Sequence, residues 1–503
     1  MLKKIRIAFS LLFFVLITLF FLDFAGWMPV QFHALTKIQF IPALLALNVG
    51  GLIFLILTTL ILGRVYCSSI CPMGVYQDIV AWFSKRFNKR KKYTFSKAKT
   101  VLRWITLIVV LTSFLFGFSF TIGLLDPYGA YGRMVTHLFR PAYLLGNNLL
   151  DNIFTSFDNH TFYQVSIYSL SLFSTLIALL TFLGIGALAW RNGRTYCNTL
   201  CPVGTTLGFL NKYALLKLQF GDGCGQCGKC SRNCKASCID VKNKKIDYSR
   251  CVNCFDCIGV CDFSEMKYTY AFKLKKSEQS DKEIDQSKRR FITALAVTSV
   301  AGTKILAQKF PLPKKHQIKK QLPIAPPGAK SIEKFQDKCI SCHLCVSKCP
   351  SHVLKPAFNE YGFNGIMQPL VYFDKGFCNY DCTLCTEVCP TGALTELTKE
   401  EKHVNQMGKV QYVKENCIVY EHETQCGACS EHCPTQAVFM IPYKGELTIP
   451  STNTNICVGC GGCEYVCPAK PYKAIYVEGL KVHNTLKFRK EKKEEVKIDD
   501  FGF

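Results

Sequence analysis

Acidic residues are scarce in this chain: 36 Asp and Glu stand against 61 Lys and Arg, giving a formal net charge of +25. Such a charge attracts nucleic acid or an anionic membrane. The basic residues gather at the ends of apolar segments, which favours the membrane and argues against nucleic acid. Long apolar runs are missing beyond residue 190 and fill the chain before it, so the composition is split, and 503 residues leave room for two or three domains. No small-residue cleavage site follows the first apolar stretch, 7–22, and a second, 40–62, comes directly after it. That excludes a simple signal peptide and predicts membrane helices instead. Disulfide-like spacing is also missing among the 29 cysteines, which fall into tight runs; neighbouring thiols two residues apart rarely suit mutual disulfides, so metal ligation is expected.

The run Cys224-x2-Cys227-x2-Cys230-x3-Cys234, followed by Cys251-x2-Cys254-x2-Cys257-x3-Cys261, has the spacing of a ferredoxin with two 4Fe-4S clusters. In such a pair the last cysteine of each run serves the other cluster. Cys224, Cys227, Cys230 and Cys261 are therefore expected at one cluster, and Cys251, Cys254, Cys257 and Cys234 at the other. Four-cysteine zinc sites usually come as two separated C-x2-C pairs, which this pattern is not.

Four further runs follow. Cys339-x2-Cys342-x2-Cys345-x3-Cys349 and Cys457-x2-Cys460-x2-Cys463-x3-Cys467 keep the regular spacing. Cys378-x3-Cys382-x2-Cys385-x3-Cys389 and Cys417-x8-Cys426-x2-Cys429-x3-Cys433 alter it, but each still supplies four thiolates. Six clusters are implied. Cys339-Ile340-Ser341-Cys342-His343 also matches a haem attachment motif, but its cysteines already belong to a ferredoxin run. Cys238, four residues after Cys234, is expected to be a small buried residue and not a ligand.

Apolar stretches at 7–22, 40–62, 101–125 and 165–190 predict four membrane helices. Lys3, Lys4 and Arg6, then Lys85, Arg86, Lys89, Arg90, Lys91 and Lys92, then Arg191 and Arg194 fall on one side, predicted to be cytoplasmic. Residues 126–162, with only Arg133 and Arg140 as Lys or Arg, then face outward. A repeat marks both cytoplasmic helix exits: Gly63-Arg64-Val65-Tyr66-Cys67-x3-Cys71-Pro72 returns as Gly193-Arg194-Thr195-Tyr196-Cys197-x3-Cys201-Pro202. Cysteines at i and i+4 share a helical face. The four thiols are expected to form a metal centre or redox dithiol, the alternative being two turn motifs whose cysteines only pack. Together with the six runs and Cys238 they account for all 29 cysteines.

After a charged stretch, Arg289-Arg290-Phe291 precedes a short apolar segment, 293–307, in the manner of a twin-arginine export signal. Such export, with the segment cut or kept as a fifth anchor, places the remainder outside. The expected organisation is a membrane domain at 1–215, a two-cluster ferredoxin domain at 216–270, a linker at 271–335, a four-cluster domain at 336–490 and a charged tail at 491–503. The fold class is a membrane α-helical domain plus α+β ferredoxin-like domains.

Residues 1 to about 270, through the two Gly-Arg-x-Tyr-Cys-x3-Cys-Pro motifs and the cluster pair behind them, resemble the membrane ferredoxin subunit of periplasmic nitrate reductase systems. They are also similar to the membrane domain of the nitrous oxide reductase accessory flavoprotein. Residues from about 289 on, with Arg289-Arg290, Ala325-Pro326-Pro327-Gly328-Ala329 and four cluster runs, resemble the exported ferredoxin subunit of the same nitrate system. The resemblance implies a multi-pass protein of the bacterial inner membrane, a quinol dehydrogenase component passing electrons from the quinone pool to a periplasmic reductase or c-type cytochrome. It also implies that the first and fourth outer runs share two clusters and the second and third share the other two. The two subunits are fused here, and 126–162 is too short for a flavin-bearing domain. Asp126, Arg133 and His137, with His33 after the first helix, are the candidates for quinol binding. A carrier working from a cytoplasmic donor, and a redox maturation factor using Cys67, Cys71, Cys197 and Cys201, are the alternatives.

Overall fold

The computed structural model describes residues 1–88, 92–167, 171–262, 264–271 and 320–486. The twin-arginine segment, most of the linker and the charged tail lie outside the described residues.

The N-terminal half is helical. Among the described residues it has thirteen α-helices: α1 (Leu2–Leu22), α2 (His33–Lys37), α3 (Phe40–Leu45), α4 (Val49–Leu62), α5 (Val65–Ser69), α6 (Pro72–Phe87), α7 (Thr100–Leu115), α8 (Ser119–Leu125), α9 (Pro127–Met134), α10 (Arg140–Thr155), α11 (Leu172–Asn192), α12 (Thr195–Thr199) and α13 (Pro202–Asn211). Only α1 and α11, each 21 residues, are both long and apolar enough among the described residues to cross a membrane. At 1.5 Å per residue each is roughly 31 Å long, close to the thickness of a bilayer's hydrocarbon core.

The expectation of four continuous spans is corrected at two places. The stretch 40–62 is broken into α3 and α4 because Leu47 takes a left-handed backbone (φ 55°) and the Asn48 carboxamide oxygen caps α4, accepting from Gly51 N at 3.0 Å. The stretch 101–125 is broken at Gly117 (φ 72°), giving α7 and α8. Hydropathy runs through both breaks, which is why the sequence alone joins them. Large apolar side chains including Leu12, Val15, Ile53, Leu57, Ile108, Leu111, Leu180 and Leu183 stay exposed along α1, α4, α7 and α11.

Residues 126–155, read from the sequence as part of an outward loop, are helical, and 126–137 pack inward while most of 140–155 stays exposed. α9 runs through a π-helical turn, Val135–Phe139, into α10. Every residue of α9 is buried. One core joins Phe20 and Phe21 of α1, Tyr128, Tyr131 and Met134 of α9, and Cys67, Cys71, Cys197 and Cys201 of the repeat.

The two ferredoxin regions are small α+β units. In the first, β1 (Leu216–Phe220) pairs antiparallel with β4 (Met266–Tyr270), Leu216 opposite Tyr270, enclosing the short hairpin β2 (Ile239–Asp240) and β3 (Lys245–Ile246). In the second, β5 (Leu354–Pro356) pairs with β6 (Pro369–Val371), β8 (Val438–Pro442) with β9 (Thr448–Thr452), and β7 (Asn405–Tyr412) with β10 (Ile475–Thr485), all antiparallel. The last pair carries a bulge between Gly479 and Asn484. Cysteines contribute to the buried core of each unit, as a protein built around inorganic groups requires.

Candidate iron–sulfur and thiolate sites

The ligand loops are tight turns. Gln226, Asn253, Ser341 and His343, which lie between the cysteines of their runs, hold left-handed backbones (φ 51°, 47°, 52° and 63°) that bring successive cysteines round to a common side. In the first ferredoxin unit, called inner by its order in the chain as the second is called outer, a small cavity is lined by Cys224, Cys227, Cys230 and Cys261. That is the crossed set expected from the spacing. Cys257 is pushed up by burial and then by Cys254, Cys251 and Cys234, which places Cys234 with the second run. Cys238 is buried with its Sγ 3.5 Å from Cys234 Sγ, inside this core.

The outer unit corrects the grouping that the family resemblance implies. One cavity is lined by Cys378, Cys382, Cys385 and Cys349, and another by Cys417, Cys426, Cys429 and Cys467. Cys389 lies within electrostatic reach of Cys339 and Cys342, and Cys433 within reach of Cys457 and Cys463. The first run therefore pairs with the second and the third with the fourth. Each fourth cysteine precedes a proline, which turns the chain away and leaves that thiol facing the neighbouring run. The two pairs meet where Cys378 N donates to Cys460 O at 2.9 Å. Cysteine-only donor sets around small cavities fit 4Fe-4S clusters. Among the described residues no group of three or more His, Cys, Asp or Glu is placed to hold a single metal ion.

The repeat brings its four cysteines into one buried core, each 3 or 4% exposed. The halves grip one another reciprocally. Arg194 Nη1 donates to Cys67 O at 2.5 Å, and Arg64 Nη2 donates to Cys197 O at 3.4 Å and approaches Cys67 Sγ at 3.7 Å. Gln77 Nε2 donates to Cys197 Sγ at 3.0 Å. Burial, then the neighbouring Cys197 and Cys67, push the Cys71 thiol well up; burial, Cys197 and Cys71 do the same for Cys201.

Both motif glycines have positive φ (75° at Gly63, 72° at Gly193), and both touch the inner cluster run. Gly63 packs against Asn253, which lies between Cys251 and Cys254, and Gly193 against Lys235, which follows Cys234. Arg194 N also donates to Lys235 O at 3.0 Å. Asp78 ties this region together, accepting from Arg194 (2.8 Å) and Arg6 (2.9 Å) and pairing with Lys235 (3.3 Å). Its carboxyl is held far below the usual carboxylate range because these three cations overcome the effect of burial.

On the opposite side, Tyr196 Oη donates to Leu125 O at 2.9 Å, next to Asp126. Asp126 caps α9, its Oδ2 accepting from Gly129 N at 2.6 Å, and burial raises its carboxyl to about 6. Arg133 is wholly buried. It donates to Gly123 O (2.8 Å), Ser341 O (3.1 Å) and Ile340 O (3.4 Å), so it holds the loop 339–342 of the outer ferredoxin unit against α8 and α9. His137 Nε2 lies 2.8 Å from His343 Nδ1, and burial, with the Arg133 charge, lowers His137 to about 4. Lys348 reaches Asp23 at 2.6 Å. The structure thus brings Asp126, Arg133 and His137 together on one segment, but as a dock for the outer unit. His33 packs edge-on against Phe20, apart from them.

Sequence reasoning passed over Asp78, Lys235 and Gln77, and weighed His343 only as part of a haem motif. Lys235 and His343 carried a signal, since each sits beside a ligand cysteine; Asp78 carried none, having no counterpart in the second half of the repeat.

Fold and donor sets define an iron–sulfur electron-transfer protein of the ferredoxin type. Residues 338–393 and 424–471 match the 4Fe-4S dicluster domain model, and 44–90 and 173–221, which contain the four repeat cysteines, match a 4Fe-4S binding domain model. The chain is related to the ferredoxin-type proteins MauM, NapF and NapG. It is 31% identical over 156 residues to the methylamine utilization ferredoxin-type protein MauM of Methylobacillus flagellatus, covering 29% of this chain and 63% of that one. To NapF of Escherichia coli K12 it is 24% identical over 154 residues, 31% of this chain and 85% of NapF. To NapG of the same strain it is 28% identical over 152 residues, 29% of this chain and 65% of NapG. No solved structure matches the chain.

Proposed function

We propose that this chain carries electrons across a bacterial inner membrane, from quinol to an acceptor outside such as a periplasmic reductase or c-type cytochrome. The observation that carries the reading is a single buried column of contacts. Asn253 and Lys235 of the inner unit touch the Gly-Arg motifs, the motifs enclose four thiols, and Tyr196 and α9 lead from those thiols to the loop 339–342 of the outer unit. The six ferredoxin sets would hold six 4Fe-4S clusters, and Cys67, Cys71, Cys197 and Cys201, within the two stretches that match a 4Fe-4S binding domain model, would hold a further thiolate-bound iron–sulfur group. Bound there, these groups supply one-electron transfer.

The protein's own part is to hold, orient and insulate. Arg64 and Arg194 lie against the four-thiol group and offset the charge that thiolates bring to a buried place. The hydrophobic core around the thiols excludes water and oxygen-donor ligands. Such burial also keeps them from the thiols or metals of a partner protein, which argues against a maturation factor.

The test is anaerobic: load the full chain in lipid discs, assay iron and sulfide, add a menaquinol analogue and follow reduction by EPR. Near-complete cluster loading with quinol-driven reduction of several centres is expected. Clusters that stay oxidised with quinol but are reduced by dithionite or a low-potential ferredoxin would overturn the quinol reading and favour a cytoplasmic donor.

A further inference from the structure

Resting on that reading, we propose that the quinol binds in a cavity of about 690 Å³ between α1, α6 and the inner ferredoxin unit, and not at residues 126–137. The volume falls in the range of ordinary small-molecule sites. Its walls are residues 3–11 of α1 and 75–85 of α6, and its floor is made by the ligand loops themselves. Asn233 and Lys235 flank Cys234, Asp256 lies between Cys254 and Cys257, and Val260 precedes Cys261. A head group on this floor is separated from the iron-holding cysteines by one residue of chain.

The cavity has the two ends a quinol needs. The inner end is polar: Lys3 pairs with Asp256 at 3.0 Å, Arg6 with Asp78 at 2.9 Å, and Lys235 with Asp256 at 3.0 Å and Asp78 at 3.3 Å. The outer end is apolar, with Leu11, Trp82 and Phe83 lining it and remaining exposed, so a hydrocarbon tail can leave along α1 and α6. Three of the four cations are committed to carboxylates and Lys85 donates to Asn233 Oδ1 at 2.9 Å, an arrangement suited to an uncharged head group rather than a phosphate. Arg6 is only 7% exposed and its Nε has no hydrogen-bond partner, leaving a donor for a quinone oxygen. Residues 126–137 line none of this cavity: α9 is buried throughout, Arg133 and His137 engage the outer unit, and Tyr131 is held by Thr18 of α1.

Oxidation here breaks the two O–H bonds of the quinol. Its two electrons would leave one at a time to the cluster that Cys234, Cys251, Cys254 and Cys257 would hold, the first passing on to the neighbouring cluster of Cys224, Cys227, Cys230 and Cys261 before the second arrives, and its two protons would go to water on the face carrying Lys3 and Lys85, giving quinone.

The experiment uses the full, cluster-loaded chain in lipid discs with an azido-naphthoquinone for photolabelling and a menaquinone analogue for equilibrium binding. Ser10→Phe and Ala81→Leu each fill the cavity without removing a charge. The expected result is label on α1 and α6 peptides and at least tenfold weaker quinone binding in both variants, with iron content and dithionite reduction unchanged. Label at residues 126–140, wild-type affinity in both variants, or loss of a co-purified phospholipid without loss of quinone binding would overturn the assignment. Quinone that binds here but transfers no electrons would leave the site standing and refute the electron route; quinol that reduces the clusters but labels elsewhere would do the reverse.

Discussion

Alanine at Gly132 would loosen the dock between α9 and the outer ferredoxin unit. Its methyl carbon would stand 2.5 Å from Cys342 O and 2.7 Å from Phe21 Cζ. To reach ordinary van der Waals separation the carbonyl must retreat by about 1 Å. Neither neighbour yields readily: Phe21 is fully buried, and the loop carrying Cys342 is held by Arg133 through Ser341 O at 3.1 Å. Overpacking of this kind costs about 1–3 kcal/mol, and alanine's better helix propensity returns up to about 1 kcal/mol. A net loss of about 1–2 kcal/mol in docking is expected. Gly146 in α10 is the control, because nothing lies within 4 Å of its added carbon and Gly146→Ala gains only the propensity. Hydrogen exchange on the cluster-loaded chain reads the difference, since about 1.4 kcal/mol is tenfold in protection of locally opening amides. Gly132→Ala should exchange about tenfold faster at residues 341–344, with iron content unchanged, and Gly146→Ala should not. Equal protection in the two variants would refute the claim that backbone proximity at Gly132 sets the dock.

Asp78→Asn removes the carboxylate shared by Arg6, Arg194 and Lys235; with three cations left near one buried point, a loss of about 3–5 kcal/mol is expected, seen as a lower melting temperature and reduced iron in the inner pair. Cys349→Ser combined with Cys382→Ser strikes one cavity, so the chain should lose about four irons, whereas pairing of the first run with the fourth would put two clusters, about eight irons, at risk. His137 is buried and lowered to about 4 from an ordinary 6.5, so the folded form resists the proton that the unfolded form accepts. Its contribution to the dock is full above pH 6.5 and is lost as pH falls toward about 4, a change of about 3 kcal/mol; exchange at residues 341–344 measured across that window should follow it, and His137→Phe should reduce the pH dependence without removing it, because the buried His343, also lowered, and Asp126, raised to about 6, titrate in the same dock.

What was legible in the sequence was local. Cysteines within a run lie two or three residues apart, so their common purpose shows without a structure, and residues 224–261 hold two complete runs close enough that their crossing follows from spacing alone. The outer pairing is not local. It depends on which run each proline-turned fourth cysteine faces, and the family resemblance supplied the wrong partner. The breaks at Asn48 and Gly117 were hidden because one polar or small residue scarcely alters the hydropathy of its window. Residues 126–155 looked like an outward loop because they have few basic residues and interrupted periodicity. The burial of 126–137 comes from α1, α6 and α11 and from the outer unit some two hundred positions away, contacts that no local pattern announces.

The repeated motif is the place where packing and chemistry separate. Gly63 and Gly193 have positive φ and let the chain press against the inner run; Arg64 and Arg194 lock the halves to each other's backbone. Tyr66 Oη donates to Gln39 Oε1 at 2.9 Å and Tyr196 Oη to Leu125 O, while Pro72 and Pro202 open α6 and α13 at the position where a missing N–H costs nothing. Repetition of glycine, arginine, tyrosine and proline therefore follows from mechanics, and carries less functional weight than it does on the page of sequence. The cysteines are the exception. Small buried positions accept alanine, valine or serine with modest repacking, and a packing role sets no requirement that all four be thiols. Four thiols converge where two arginines already lie, with the inner unit against the motif glycines and the outer loop 339–342 linked to the motif through Tyr196, Leu125 and α9. Packing accounts for the frame; the proposed electron transfer would give the frame a reason to enclose sulfur, in keeping with the match of both stretches to a 4Fe-4S binding domain model.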